Sequence, residues 1–201
     1  MNKINPQIEE HLDEVLKFFA RFAPLSSEEI KWLVPFFELR NFKKKEVILQ
    51  QGETEQYLNL VLKGLVRKYI VAGKKETTLQ LATEKHLIQS EGSFHMQQPS
   101  EVVIESLEDT LLLSMRYDHV QYALDHIPGA EEIGLRLITY MFLKKNSRYY
   151  LQLKKSTRER FLDYVSQHPH MLQRVPQKIL ASYLNIKPET FSRLKHLVRK
   201  G

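Results

Sequence analysis

Cysteine is absent from all 201 residues. Disulfides, iron–sulfur clusters and thiol-based redox sensing are thereby excluded. Long apolar runs are absent too, and none approaches the roughly 20 residues that a membrane-spanning helix needs. The opening Met1-Asn2-Lys3-Ile4-Asn5-Pro6 has no apolar segment of the kind that directs export. The expectation is a cytoplasmic chain with no membrane association. Catalytic constellations are missing as well: no nucleophile–base pair, no phosphate-binding glycine loop, no recognisable pair of catalytic carboxylates. Glu9-Glu10, Glu28-Glu29 and Glu131-Glu132 read as exposed helix faces, so an enzyme is not expected. The eight histidines form no clustered ligand set. His168 and His170 flank Pro169 at an expected helix end and read as surface residues. Neither a metal nor another cofactor is expected.

What is present is a lopsided charge. Residues 141–201 hold 14 Lys/Arg and 3 Asp/Glu, a net of +11, while residues 1–140 hold 16 and 21, a net of −5. The overall +6 hides a strongly basic C-terminal third on a mildly acidic body. Such a split is an electrostatic footprint for nucleic acid. With 42% hydrophobic residues, the chain has enough apolar material for one large domain or two modest ones.

Periodicity divides the chain. Ile8, Leu12, Val15, Leu16 and Phe19 recur at helical spacing within residues 7–38. Pro24 is expected to break that helix. Ser26 or Ser27 would cap a second, with Glu28 and Glu29 in its first turn and Leu33, Phe36 and Phe37 on its buried face. From about residue 39 to 116 the pattern is that of strands: Glu46 to Leu49, Tyr57 to Leu62, Leu65 to Val71, Thr77 to Leu81, Val102 to Leu107 and Thr110 to Met115. Lys63-Gly64, Ala72-Gly73-Lys74 and Glu108-Asp109 read as turns, glycine accepting positive φ at no steric cost. Short strands with turns between them predict a sandwich or roll. Glu84 to Ser100, with Gly92, Phe94 and Pro99, has no clear period and reads as a loop or short helix over the end of the roll.

From Pro128 to about Leu153 the chain is helical again. Ile133, Leu137, Tyr140, Lys144, Ser147 and Leu151 form one seam. Leu135, Ile138, Phe142 and Tyr149 form a neighbouring stripe. A helix apolar on two sides needs two partners: the roll for one and a second copy of the helix for the other. We assign Ile133, Leu137, Tyr140, Lys144 and Leu151 to the dimer contact. A single wide core face in a monomer is the alternative.

The last quarter is denser in signal. Ser156 stands three residues before Glu159, a capping box, with Phe161, Leu162 and Val165 facing inward and Pro169 ending the helix. Val175 to Leu184 predicts a further helix, Asn185-Ile186-Lys187 a turn, and Pro188 to His196 a last helix. Ile179, Leu180 and Leu184 would pack on Phe191 and Leu194, and small Ala181 and Ser182 permit close approach. This reads as a helix-turn-helix, whose second helix lies in the major groove with its N-terminal residues on the bases.

The order helices, strand roll, long helix, helix-turn-helix resembles the CRP/FNR family of transcription regulators, over nearly the whole chain. The resemblance rests on Gln51-Gly52-Glu53, Leu62-Lys63-Gly64, Ser156-Thr157-Arg158-Glu159-Arg160-Phe161, Val175-Pro176-Gln177 and Glu189-Thr190-Phe191-Ser192-Arg193. It implies an α+β fold: N-terminal helices and an antiparallel β-roll of the double-stranded β-helix or jelly-roll type, a long dimerisation helix, and a C-terminal helix-turn-helix domain. The implied units are 1–127, a cyclic-nucleotide-binding-like sensor, 128–153, the dimerisation helix, and 154–201, the DNA-binding domain. The sequence stops at Gly201, just past the last helix, so no β-hairpin wing is expected.

The resemblance also implies roles. Glu189 and Arg193 fall where relatives read bases, and their chemistry suits the task. Arg pairs bidentately with guanine O6/N7, and Glu accepts from cytosine N4. Glu189 alternatively serves as a first-turn partner of the helix dipole. Thr190, Ser192, Lys195 and Lys187 suit phosphate, and His196 completes the face. Relatives that bind cyclic AMP carry a Gly-Glu and an Arg-Ser pair in a phosphate cassette. Here the stretch is Glu91 to Glu101, with Pro99 in place of the arginine, Ser100 standing for the serine, and Glu101 set to repel a phosphate. Cyclic AMP is therefore not expected to bind with physiological affinity. Phe94, Ser100, Glu101, Lys145 and Asn146 remain the expected pocket for an unknown small-molecule or protein effector. Double-stranded DNA, a second copy and RNA polymerase are the other expected partners. The competing reading is a small-molecule or protein-binding sensor module with a vestigial DNA-binding domain.

Overall fold

The structure, a computed structural model, describes residues 6–22 and 32–198. The first helical pattern forms two helices, α1 (Pro6–Glu9) and α2 (Leu12–Phe19), broken by a turn at Glu10 and His11. The expected break at Pro24 and the expected caps Ser26 and Ser27, with Glu28 and Glu29, lie outside the described residues. Leu33 is buried, but helix does not run to residue 38. Phe37 opens strand β1 (Phe37–Phe42), where apolar residues at 37, 39 and 42 only partly alternate and are easily absorbed into the preceding helical pattern.

The remaining strands are β2 (Val47–Leu49), β3 (Tyr57–Lys63), β4 (Val66–Ala72), β5 (Lys75–Ala82), β6 (Leu87–Ile88), β7 (Val103–Ser106) and β8 (Thr110–Arg116). They form two antiparallel four-stranded sheets, ordered β1-β8-β3-β6 and β2-β7-β4-β5. The inner faces meet over Leu49, Val61, Val66, Ala82, Ile88, Ile104 and Leu112. The first sheet is covered on its outer face as well. Leu60 and Leu62 of β3 and Leu113 and Met115 of β8 pack with Ile8, Val15, Phe18 and Phe19. A strand buried on both faces reads as a continuous apolar run rather than an alternation, which is the pattern of Tyr57 to Leu62. Asn59 and Ser114, directly opposite and fully buried, satisfy each other at 2.7 Å.

The unassigned Glu84 to Ser100 stretch contains β6 and a short helix α3 (Glu91–Met96). A helix α4 (Tyr117–His126) follows β8, unanticipated from the sequence. Half of its residues are polar, and only Ala123 is buried. The long helix α5 runs from Ala130 to Lys154. Among the described residues four shorter helices follow: α6 (Thr157–Gln167), α7 (Met171–Arg174), α8 (Gln177–Tyr183) and α9 (Pro188–Val198). Ser156 caps α6 in a complete capping box with Glu159. Phe161 and Val165 face inward as expected, but Leu162 is exposed.

Part of the α5 seam assigned to the dimer contact faces this chain's own core. Ile133 and Leu137, assigned to a dimer contact, are buried in this chain's own core, and Tyr140 packs against Phe22 with ring centroids 5.1 Å apart. Lys144 and Leu151 are exposed. It is the neighbouring stripe that is left uncovered, with Leu135 67%, Ile138 50% and Phe142 60% exposed. Helical periodicity reveals that two seams exist. Which one meets the roll depends on the rotation at which α5 docks, and α1, α2 and α4 set that rotation.

Candidate nucleic-acid interface

A buried aromatic contact lies at the centre of the C-terminal helices. Phe161 of α6 and Phe191 of α9, both fully buried, meet edge to face with ring centroids 5.1 Å apart. Leu180 and Ala181 of α8, Leu184 just after it and Leu194 of α9 are part of the same cluster. Small Ala181, buried completely, lets the helices approach as the sequence suggests.

Between α8 and α9 the chain closes a Schellman motif. Asn185 N–H donates to Ser182 O at 3.1 Å and Ile186 N–H to Ala181 O at 2.9 Å. That geometry places Asn185 in the left-handed region at φ +53°, which asparagine tolerates better than most residues. Ile186 tucks its side chain into the core, and Pro188 then starts α9, its fixed φ suited to a first helical turn. Arg160 staples the turn from outside. Its guanidinium donates to Lys155 O at 2.8 Å and to Asn185 O at 3.2 Å. The Ser156-to-Phe161 segment thus holds the turn as well as starting a helix.

Burial of Phe191 and Leu194 turns the opposite side of α9 outward. Lys187, Glu189, Arg193 and His196 are exposed, and Thr190, Ser192 and Lys195 are half-buried. Glu189, Arg193 and His196 follow four- and three-residue spacing, so they share one face. Arg193 reaches Thr190 Oγ1 at 3.5 Å. All seven residues expected to contact DNA thus lie on one short helix and its lead-in turn.

The expected effector residues do not converge in the same way. Phe94 is buried in α3 between His95 and Tyr117. Ser100 is buried, and its hydroxyl donates to Val102 O while touching Ser90 Oγ at 2.9 Å, so it is occupied within the chain. Glu101 and Lys145 are exposed, and Asn146 is half-buried. The polar centre nearby belongs to other residues. Lys68 of β4 is buried. It donates to Gln89 O at 2.9 Å and pairs with the Glu91 carboxylate at 2.6 Å. Burial pushes the Lys68 ammonium down against the pull of Glu91. Burial also pushes the Glu91 carboxyl up, but Lys68 outweighs it and leaves Glu91 below its ordinary range. Buried Glu55 accepts from the N–H groups of Tyr57 and Ser90, yet burial still raises its pKa. Gln89 Oε1 has no partner among the described residues. The signal for this cluster is Arg67-Lys68, two adjacent charges within the apolar strand Leu65 to Val71. Each points into a different buried face: Arg67 meets Glu76 at 2.8 Å and Glu105 at 3.1 Å.

Residues 39–126 match the cyclic nucleotide-binding domain family. Among solved structures, the catabolite activator protein of Thermus thermophilus aligns at TM-score 0.56 and 22% identity, over 89% of this chain and 86% of that one. FixK2 of Bradyrhizobium japonicum aligns at 0.65 and 17%, over 82% and 85%. The c-di-GMP responsive global regulator CLP of Xanthomonas campestris aligns at 0.64 and 15%, over 87% and 92%. No curated protein matches significantly in sequence. The chain has the cyclic-nucleotide-binding-like fold of CRP/FNR regulators. No helix among the described residues is long and apolar enough to cross a membrane.

Proposed function

We propose that this chain is a sequence-specific, DNA-binding transcription regulator of the CRP/FNR type, and not an enzyme. The observation that carries the reading is α9: a helix locked from behind by Phe161 and Phe191 that turns Lys187, Glu189, Arg193 and His196 outward. In this reading residues 1–127 form the sensor, 128–153 the dimerisation helix and 154–201 the DNA-binding domain. Two copies join through the uncovered stripe Leu135, Ile138 and Phe142. Arg193 and Glu189 read base edges, while Lys187, Thr190, Ser192, Lys195 and His196 engage the backbone. RNA polymerase is a partner on the promoter.

Cyclic AMP is not the effector. Pro99 stands where an arginine would hold the phosphate, Ser100 is hydrogen-bonded within the chain, and the buried cation Lys68 is already neutralised by Glu91. Tight binding of cyclic AMP in calorimetry would overturn this part. The whole reading is tested by selecting bound fragments from a random DNA library at physiological salt. The expected product is a palindrome with half-sites about 34 Å apart, one helical turn. Recovery of unrelated sequences alone would overturn it.

A further inference from the structure

The C-terminal helices do not stand clear of the roll. Leu65, Leu81 and Leu107 of the roll are buried in the same cluster as Phe161, Val165, Met171, Val175 and Leu180. Around this apolar contact lies a ring of directional bonds. Arg174, at the end of α7, donates to both oxygens of Glu84 at 3.1 Å, to both oxygens of Glu108 at 3.0 and 2.7 Å, and to Gly64 O at 3.0 Å. Gly64 N–H in turn donates to Glu84 at 3.0 Å. On the other side, Thr78 N–H of β5 donates to the Ser182 hydroxyl of α8 at 2.9 Å. Arg148 of α5 bonds Leu79 O of β5 and donates to Tyr183 O of α8 at 2.6 Å, while stacking on the Tyr183 ring. The faces engaged are those of α7 and α8, so the outward face of α9 stays free.

We propose that Arg174, gripped by Glu84 and Glu108, is a latch that docks the C-terminal helices on the β-roll of the same chain and thereby sets how α9 is presented to DNA. A five-donor guanidinium between two carboxylates and a carbonyl fixes orientation as well as distance, which a purely apolar contact would not. The consequence for DNA rests on the regulator reading above, whereas the docking itself does not.

Two isosteric variants, Glu108→Gln and Glu84→Gln, and the cation-removing Arg174→Met test it on the full-length chain. Hydrogen exchange without DNA is expected to speed up in residues 157–198 while β3 and β8 stay protected. Operator affinity is expected to fall roughly tenfold, a coupling of ordinary size, with binding to random DNA little changed. Combining Arg174→Met with Glu108→Gln is expected to add little, because both remove one contact. Pairing Arg174→Glu with Glu108→Arg is expected to restore part of the protection. Unchanged exchange in all three single variants would overturn the latch. Faster exchange with unchanged operator affinity would overturn its role in presenting α9. Exchange is read without DNA, so failure to find any operator would count against the regulator reading alone.

Discussion

Gly64 is where local backbone and long-range docking meet. Its φ is +101°, and a Cβ built there would stand 2.6 Å from Thr110 Oγ1 and 2.7 Å from Asp109 O. Its two backbone polar groups are both used at the docking site. Gly64→Ala should therefore cost about 1–3 kcal/mol in strain, read as a lower midpoint in urea. The open turn at Gly73, with nothing within 4 Å of an added Cβ, provides a control free of steric contact. Arg193→Ala should weaken the specific site by about 1–3 kcal/mol and random DNA little. Equal loss on both, by titration at fixed salt, would contradict base reading. The alternative for Glu189, a dipole partner, predicts instead that Glu189→Gln lowers stability and leaves operator preference unaltered.

At the scale of elements, α5 makes a discriminating case, because its two seams should respond differently. Phe142→Asp, with or without Ile138→Asp, puts charge on the uncovered stripe. It should shift the chain to monomer in sedimentation while the unfolding midpoint moves little. Ile133→Ala, inside the core, should cost about 2–5 kcal/mol with the association state unchanged. The reverse pattern would return the dimer contact to the seam read from sequence. Helix α6 offers a simpler test. Ser156→Ala removes the hydroxyl that accepts from Glu159 N–H and should cost about 0.5–2 kcal/mol, seen in thermal unfolding.

For the whole molecule, the docked arrangement has a defined acid sensitivity. Burial pushes the Glu84 carboxyl up, but hydrogen bonds from Arg174 and Gly64 outweigh it and hold the group below its ordinary value of 4.5. A carboxylate depressed in the folded state contributes stability above its ordinary pKa, and that contribution is lost as pH falls through the folded value. The stability difference between the native chain and Glu84→Gln should thus be full near neutral pH, start to shrink as pH falls past 4.5 and be lost once pH passes the depressed folded value, which denaturant titrations at several pH values would follow. An unchanged difference in acid would mean that Glu84 contributes by shape alone.

What the sequence determined by itself were the features with short range: the capping box at Ser156, the turn at Lys63-Gly64, most strands of the roll, and the α8–turn–α9 pattern with its polar outer face. Each depends on residues a few positions apart, where spacing and propensity act directly. Tertiary structure decided the rest, because burial on a given face depends on what arrives from far along the chain. It assigned the seams of α5 through the docking of helices more than 100 residues upstream. It placed Lys68 beside Glu91, with Ser100 bonded nearby within the chain. And it brought Arg174 to Glu84 and Glu108, 90 and 66 residues away, a pairing with no local periodicity to announce it.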